Sequence, residues 1–391
     1  MQQDRGNRRP FRIARLRRQQ LSHTTWQKRH GMMRMAVKGI GVTGGFGTGV
    51  ADLVAALKSG VSRMDGITVP SAQGPLQLPA FRAATERLEE FAPKRTLRRI
   101  DHYSKMGLLG AYLALQDGGL LDSDLSRLGV VVASGYGATA TTFAFLDSII
   151  ADGDICASPT HFANSVHNSA AANISIMLGA KGPSLTVSQF DMSVPSALVS
   201  ARQWLAEGRV DAVLFGAIDE LSDLIGYLWH RQRGPQSGGS ILPLQVDRES
   251  SVVGEGAAFL LLTRDDGGKG YCAIDGIETG SLYQGELSLP GDALMLLGAD
   301  GRSELGARYR AMVPSRSRVA CYAPIYGSMP AASGFDLACA ALILQGGTAF
   351  PITGAAGCDM GGRPVELETE RICAVRLAEA NEYSAITMSR L

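Results

Sequence analysis

Apolar residues fall along the chain in short runs broken by glycines and by stretches of helical spacing. Met35 to Val42 is the first run and breaks into Gly44, Gly45, Gly47 and Gly49, which reads as a strand and a turn. Ala51–Lys58 and Asp101–Leu115 carry helical periodicity, the second closed by Gly118 and Gly119. Residues 67–98 begin loop-like, with Pro70, Pro75 and Pro79. Leu128–Ser134, Asp211–Gly216 and Ala257–Thr263 are apolar at consecutive positions and predict strands buried on both faces. Ala140–Ile150 and Pro195–Glu207 predict helices, with a strand at Ser184–Val187 before the second. A strand from Tyr271, a strand at Val319–Tyr322, a helix over Gly334–Gln345 and a strand at Ala385–Met388 complete the pattern. Strand and helix alternate throughout, so the expected class is α/β with mostly parallel sheets, built as two similar halves. The boundaries expected are a basic extension at 1–34, a first half at 35–270 and a second at 271–391.

Composition narrows the picture. Hydrophobic residues make up 45% of the chain and charged residues 19%, an ordinary globular balance. The net charge of +1 conceals a basic head: residues 1–38 carry +10 and the remainder −9. A mildly acidic body is a poor binder of nucleic acid. The head lacks an apolar stretch behind its positive charges, so it does not read as a secretory signal; an over-long start or a disordered tail is expected. No apolar run reaches the ~18–20 residues that span a bilayer. The six cysteines, Cys156, Cys272, Cys321, Cys339, Cys358 and Cys373, include no C-x-x-C pair, which predicts reduced thiols in the cytoplasm and no metal site.

Two glycine-rich segments carry candidate chemistry. Gly39-x-Gly41-x-x-Gly44 matches a dinucleotide fingerprint, and Asp65 has the spacing of its acidic partner, but Ser59–Met64 is a poor second strand. A glycine-rich turn is the plainer expectation. In Gly182-Pro183-Ser184-Leu185-Thr186-Val187-Ser188-Gln189-Phe190-Asp191-Met192-Ser193, an apolar strand meets a sharp turn and a helix start, the layout of a nucleophile elbow.

This last segment resembles the β-ketoacyl synthases of the thiolase superfamily, whose pattern is G-P-S-x-T-[VI]-x-x-A-C-x-S. The resemblance extends over most of residues 35–390. Gly208–Glu220 is similar to the family's G-x-x-D-x-x-x-x-G-G-x-[DE]-E. Leu242–Arg248 with Gly254-Glu255-Gly256-Ala257 is similar to R-P-F-D-x-x-R … G-E-G-A, and Tyr326–Gly334 to G-H-x-x-[GA]-A-[AS]-G. The resemblance implies an αβαβα layered thiolase-like fold.

The catalytic columns depart from the pattern. Asp191 stands where the family has its acyl-carrying cysteine, and no cysteine lies between Cys156 and Cys272. A carboxylate is a weak nucleophile for thioester exchange. The histidines are His23, His30, His102, His161, His167 and His230, so the two that the family needs in its C-terminal half are absent in any register. Their columns fall on Leu297 and Ser328. The lysine column falls near Ala323, and Asn381-Glu382-Tyr383-Ser384 replaces the closing G-F-G-G loop. Gln189 lies two residues ahead of the cysteine column.

A synthase fold without nucleophile and histidines resembles a chain-length factor, the silent partner of a ketosynthase in type II polyketide or aryl polyene systems. That resemblance implies a heterodimer with an active ketosynthase, transient contact with acyl carrier protein, no cofactor, and a role in shaping the acyl tunnel. The gate column falls at Gly135-Tyr136-Gly137. Tyr136, Thr139 and Phe143 have the spacing of one helix face and are the expected gate. His161, in Ser158–Ser165, is the expected tunnel residue of the loop that crosses to the partner. The Gly182–Ser193 segment is expected to pair with its counterpart across the dimer. The competing expectation is altered chemistry on the same fold, a thioester hydrolase or malonyl decarboxylase using Asp191 or Ser193.

Overall fold

The computed structural model describes residues 33–391 apart from 73, 235–239, 285–286, 288, 314–317 and 352–363. The basic extension up to residue 32, the side chain of Cys156 and the whole of Cys358 lie outside the described residues. The strands are β1 (Met35–Gly44), β2 (Gly47–Thr48), β3 (Asp65–Val69), β4 (Leu76–Ala80), β5 (Leu128–Ala133), β6 (Ser184–Val187), β7 (Ala212–Asp219), β8 (Gly256–Arg264), β9 (Cys272–Ser281), β10 (Leu294–Leu297), β11 (Val319–Ala320), β12 (Thr348–Ala349), β13 (Val365–Glu366), β14 (Arg371–Leu377) and β15 (Glu382–Ser389). The α-helices are α1 (Val50–Ser59), α2 (Lys94–Leu97), α3 (His102–Asp117), α4 (Thr139–Asp152), α5 (Pro159–Asn164), α6 (Ser169–Leu178), α7 (Ser193–Ala206), α8 (Asp223–Arg233), α9 (Ser303–Met312), α10 (Ala323–Tyr326) and α11 (Ser333–Gly346).

One sheet runs in the order β11-β10-β14-β15-β9-β1-β8-β7-β5-β6, with β2 on β1. Strands β9 and β1 join the two halves over Met35–Val37 and Cys272–Ile274.

Strand residues alternate between two packed layers. In β5, Val131 and Ala133 face one hydrophobic cluster, while Val130 and Val132 face another with α3 and α6. The first cluster is shared by both halves. It takes α7 and α11, together with Leu294 and Leu296 of β10 and Ile372 and Ala374 of β14. Met295, Leu297, Cys373 and Val375 turn the other way, onto Leu305 and Tyr309 of α9. Helices α7 and α11 therefore form a middle layer between the two halves of the sheet, with α3 and α6 outside one half and α9 outside the other. This is the αβαβα arrangement.

The expectation of mostly parallel pairing is corrected. Among the described strands, parallel pairs are confined to β5–β6, β5–β7, β10–β11 and β10–β14. Around the junction, β7–β8, β8–β1, β1–β9, β9–β15 and β15–β14 are antiparallel. Of these, β1, β7 and β8 are covered on both faces, so their apolar runs look like parallel strands. The stretch from 67 contains a hairpin, β3–β4, before it becomes irregular.

The dinucleotide reading also falls. Gly39 and Gly41 lie inside β1, not in a phosphate-cradling turn. A Cβ on Gly41 would stand 2.0 Å from the Gly110 carbonyl oxygen of α3, and one on Gly39 would stand 2.3 Å from that of Ala114. These glycines allow helix and strand backbones to touch.

Candidate functional site: a buried ion ladder behind the elbow

Strand β6 ends at Val187, and the chain turns through residues 188–192 into α7. The turn is tight enough to hold Phe190 at φ 44°, a left-handed conformation that is costly for an aromatic residue. Ser193 secures it: its hydroxyl oxygen accepts the Gln189 N–H at 2.7 Å and lies 2.7 Å from the Phe190 carbonyl oxygen and 3.1 Å from that of Ser134. Ser193 is fully buried and works as a turn brace.

Asp191 points inward and is 7% exposed. Its Oδ1 accepts from Arg376 Nη2 at 2.6 Å and Nε at 2.9 Å, and from Arg302 Nη2 at 3.2 Å. Arg376 comes from β14. Its remaining reach is taken by the carbonyl oxygens of Gly298, at 2.9 Å, and Met329, at 3.1 Å. Arg302 grips Asp300 through Nε at 3.0 and 3.1 Å. Ser328 donates its hydroxyl to Asp300 Oδ2. Outward, Arg302 Nη1 lies 3.4 Å from Glu379 Oε1, and Glu379 also pairs with Arg233 of α8. The result is a ladder of alternating charge from the elbow to the surface.

The electrostatics lock it. Burial alone would raise the Asp191 carboxyl, but Arg302 and Arg376 overcome it and hold the group below its ordinary range. Asp300 is likewise held down, to about 2, by Arg302 and Arg376 against burial. Both acids stay ionised, and the three guanidinium contacts of Asp191 all fall on Oδ1. An ionised carboxylate held between two guanidinium groups is a poor proton acceptor at the oxygen that carries the contacts.

A cavity of about 510 Å³ opens beside the ladder, lined among others by Tyr136, Phe190, Asp191, Trp229, Arg302 and Ser328. Of the expected site residues, the structure gathers Asp191, Ser328 and Tyr136 here. Leu297 is elsewhere: it is buried in β10 among the residues that face α9. Asp300, three residues further on, is the group that reaches Ser328. Thr139 opens α4 and sends its hydroxyl to the Tyr136 carbonyl at 3.2 Å, outside the cavity lining. The helix starts after Tyr136, so Tyr136, Thr139 and Phe143 do not share a helix face as expected. Phe143 faces outward, 40% exposed, and is not core. His161 is exposed on α5, where Ser158 caps its N–H.

Arg376, Arg302 and Glu379 were not singled out by the sequence reading. One signal was available: Arg376 interrupts the otherwise apolar run Ile372–Leu377. Among the described residues no group of three or more His, Cys, Asp and Glu side chains could hold a metal ion. Among them, Cys272, Cys321, Cys339 and Cys373 are buried.

Residues 32–267 match the family described as Beta-ketoacyl synthase, N-terminal domain. The chain belongs to the β-ketoacyl synthase family. Within that family it is 27% identical over 184 residues to the 3-oxoacyl-[acyl-carrier-protein] synthase 2 of Vibrio cholerae, 44% of each chain. It is 25% identical over 245 residues to the synthase of the same description from Coxiella burnetii, 59% of this chain and 57% of that one. These matches thus span about half the relatives' length. Among solved structures, a β-ketoacyl synthase from Burkholderia phymatum superposes with a TM-score of 0.76 at 19% identity, covering 92% of this chain and all (100%) of that one. The ishigamide ketosynthase/chain length factor gives 0.77 at 19%, with 92% and 100% covered. A ketosynthase in complex with its chain length factor from Xenorhabdus doucetiae gives 0.73 at 14%, with 92% and 98% covered. These structures share the thiolase-like ketosynthase fold. No described helix is long and apolar enough to cross a membrane.

A second acidic cluster gathers Glu255, His102 and Glu220. Glu255 accepts from His102 Nε2 and Arg82 Nε, each at 3.1 Å, and from the Leu221 N–H at 3.0 Å. Glu220 accepts the Ala140 N–H at 3.2 Å and is pushed up to about 7, chiefly by burial. Folded Glu220 holds its proton more tightly than the unfolded chain does. Its contribution to stability is therefore fullest in the ordinary carboxylate range and is lost as pH rises through about 7. Asp219 and Asp336, each raised to about 6 by burial, act in the same direction. Melting temperature is expected to fall between about pH 5 and about pH 8, and Glu220→Gln to flatten part of that slope. Calorimetry across that range checks it; a Tm that rises with pH contradicts it.

Proposed function

We propose that the chain is a non-catalytic ketosynthase-like subunit, a chain-length factor, which pairs with an active β-ketoacyl synthase in the cytoplasm and shapes its acyl tunnel during elongation on acyl carrier protein. The observation that carries this reading is the ladder: the position of the family's nucleophile is filled by Asp191, neutralised by Arg376 and Arg302. Altered chemistry finds less support in the same geometry, because Asp191 Oδ1 is held by two guanidinium groups and Ser193 is buried as a brace.

The surface supports a partner. Helix α4 is largely apolar yet buries none of its residues, and Leu146 (42% exposed) and Ile150 (82%) face outward. Strand β6 is an edge of the sheet, with α6 packed on it, and Ile176 of α6 is also exposed. An apolar helix that buries none of its side chains, and an open strand edge, are each surfaces that suit a protein partner. The occupant we assign is a ketosynthase subunit, because two of the similar structures are of a ketosynthase with a chain length factor. For an acidic carrier, the body offers Lys94, Arg95, Arg98 and Arg99, all exposed around α2.

The test is the product profile of the complex. With Tyr136→Ala, the complex is expected to make longer chains, because the largest side chain of the gate segment leaves the cavity. An unchanged profile removes Tyr136 from the tunnel.

A further inference from the structure

The end of β7 presents Asp219, fully buried and in no ion pair among the described residues. Its Oδ1 accepts the backbone N–H groups of Gly135 and Tyr136, both at 2.9 Å, and the Ser134 hydroxyl at 3.0 Å. Its Oδ2 accepts the Ala331 N–H at 2.7 Å. Ser134 Oγ in turn accepts the Gly137 N–H at 2.8 Å. One carboxylate thus joins two segments far apart in sequence: the loop that carries Tyr136, and the turn that follows Ser328 and Met329.

The two segments touch closely. A Cβ on Gly135 would lie 2.3 Å from Pro330, and one on Gly137, at φ +63°, would lie 2.5 Å from the His167 ring. The loop therefore has no steric slack on either flank, and its three consecutive amides need acceptors that no neighbouring strand supplies. Asp219 and Ser134 supply them. Met329, in the joined turn, gives its carbonyl to Arg376, so the same turn is tied to the ladder. An unpaired buried carboxylate is costly to keep. Its four donors account for why this one is kept.

We propose that Asp219 is the positioning residue of the gate: through the Gly135, Tyr136 and Ala331 amides it fixes Tyr136 in the cavity wall against the 329–331 turn. The consequence for chain length rests on the reading of Tyr136 as a tunnel residue. The clasp itself does not, and the two are separable by experiment.

Hydrogen–deuterium exchange of the full chain tests the clasp. In Asp219→Ala, peptides covering 135–140 and 329–332 are expected to exchange about tenfold faster or more, while those from β5 stay within about twofold. Asp219→Asn keeps one acceptor oxygen and places an NH2 donor against the other segment, so it should restore protection to one segment only. Should Asp219→Ala fail to fold, Asp219→Asn and Ser134→Ala carry the test, the latter speeding exchange around Gly137. Unchanged exchange in both segments overturns the proposal. In the complex with the ketosynthase, Asp219→Ala should shift products in the direction of Tyr136→Ala, and the double variant should shift them no further. An additive double variant, or a shift in the opposite direction, also overturns it. If Tyr136→Ala alone leaves products unchanged, the tunnel reading fails, and the exchange data still decide on Asp219.

Discussion

Arg376→Met is expected to cost about 3–5 kcal/mol, the range found when one member of a buried ion pair is removed. Methionine fills much of the space but leaves Asp191, buried against α7, with Arg302 alone, and Arg302 already serves Asp300. It also orphans the carbonyls of Gly298 and Met329. For a chain of this size, a loss of that order lowers Tm by roughly 4–6 °C. Adding Asp191→Leu should recover much of the loss, because the Asp300–Arg302 pair with its Ser328 hydrogen bond is balanced by itself. Thermal unfolding of the single and double variants gives the coupling. Additive losses would mean that the two residues do not act as a pair.

Leu146→Arg combined with Ile150→Arg is expected to weaken association with the ketosynthase by at least about a hundredfold while leaving the fold intact. Two apolar anchors at the centre of an interface are commonly worth about 2 kcal/mol each, and two buried guanidinium groups without partners add a desolvation cost. Neither side chain is needed by the core, since α4 buries none of its residues in the single chain. Size-exclusion chromatography with light scattering reads the outcome. A complex of unchanged mass and affinity would place the partner elsewhere.

The residues most legible in the sequence were those whose role is local. Ser184–Val187 was read as a strand and is one with the same ends, because the elbow compresses strand, turn and helix start into a dozen residues. The absence of a C-terminal-half histidine was likewise readable, since a missing residue type does not depend on register. Strand direction was not readable: β7, β8 and β1 are covered on both faces whichever way they run. The ladder was hidden for another reason. Arg376 and Asp191 stand 185 positions apart, and Asp300 and Arg302 sit in a block where attention to a lost histidine pointed to Leu297. Only packing reveals that Asp191, Arg376, Arg302 and Asp300 form a mutually neutralising set. Helical spacing put Tyr136 on a helix that in fact begins three residues later, at Thr139.

The central claim is that this chain takes no acyl group. Intact-protein mass spectrometry of the complex, after incubation with acyl-loaded carrier protein, tests it most directly, because each subunit is weighed separately. The expected result is an acyl increment on the ketosynthase alone, with this chain at its unmodified mass. A stable increment on this chain, mapped to Asp191, would contradict the account.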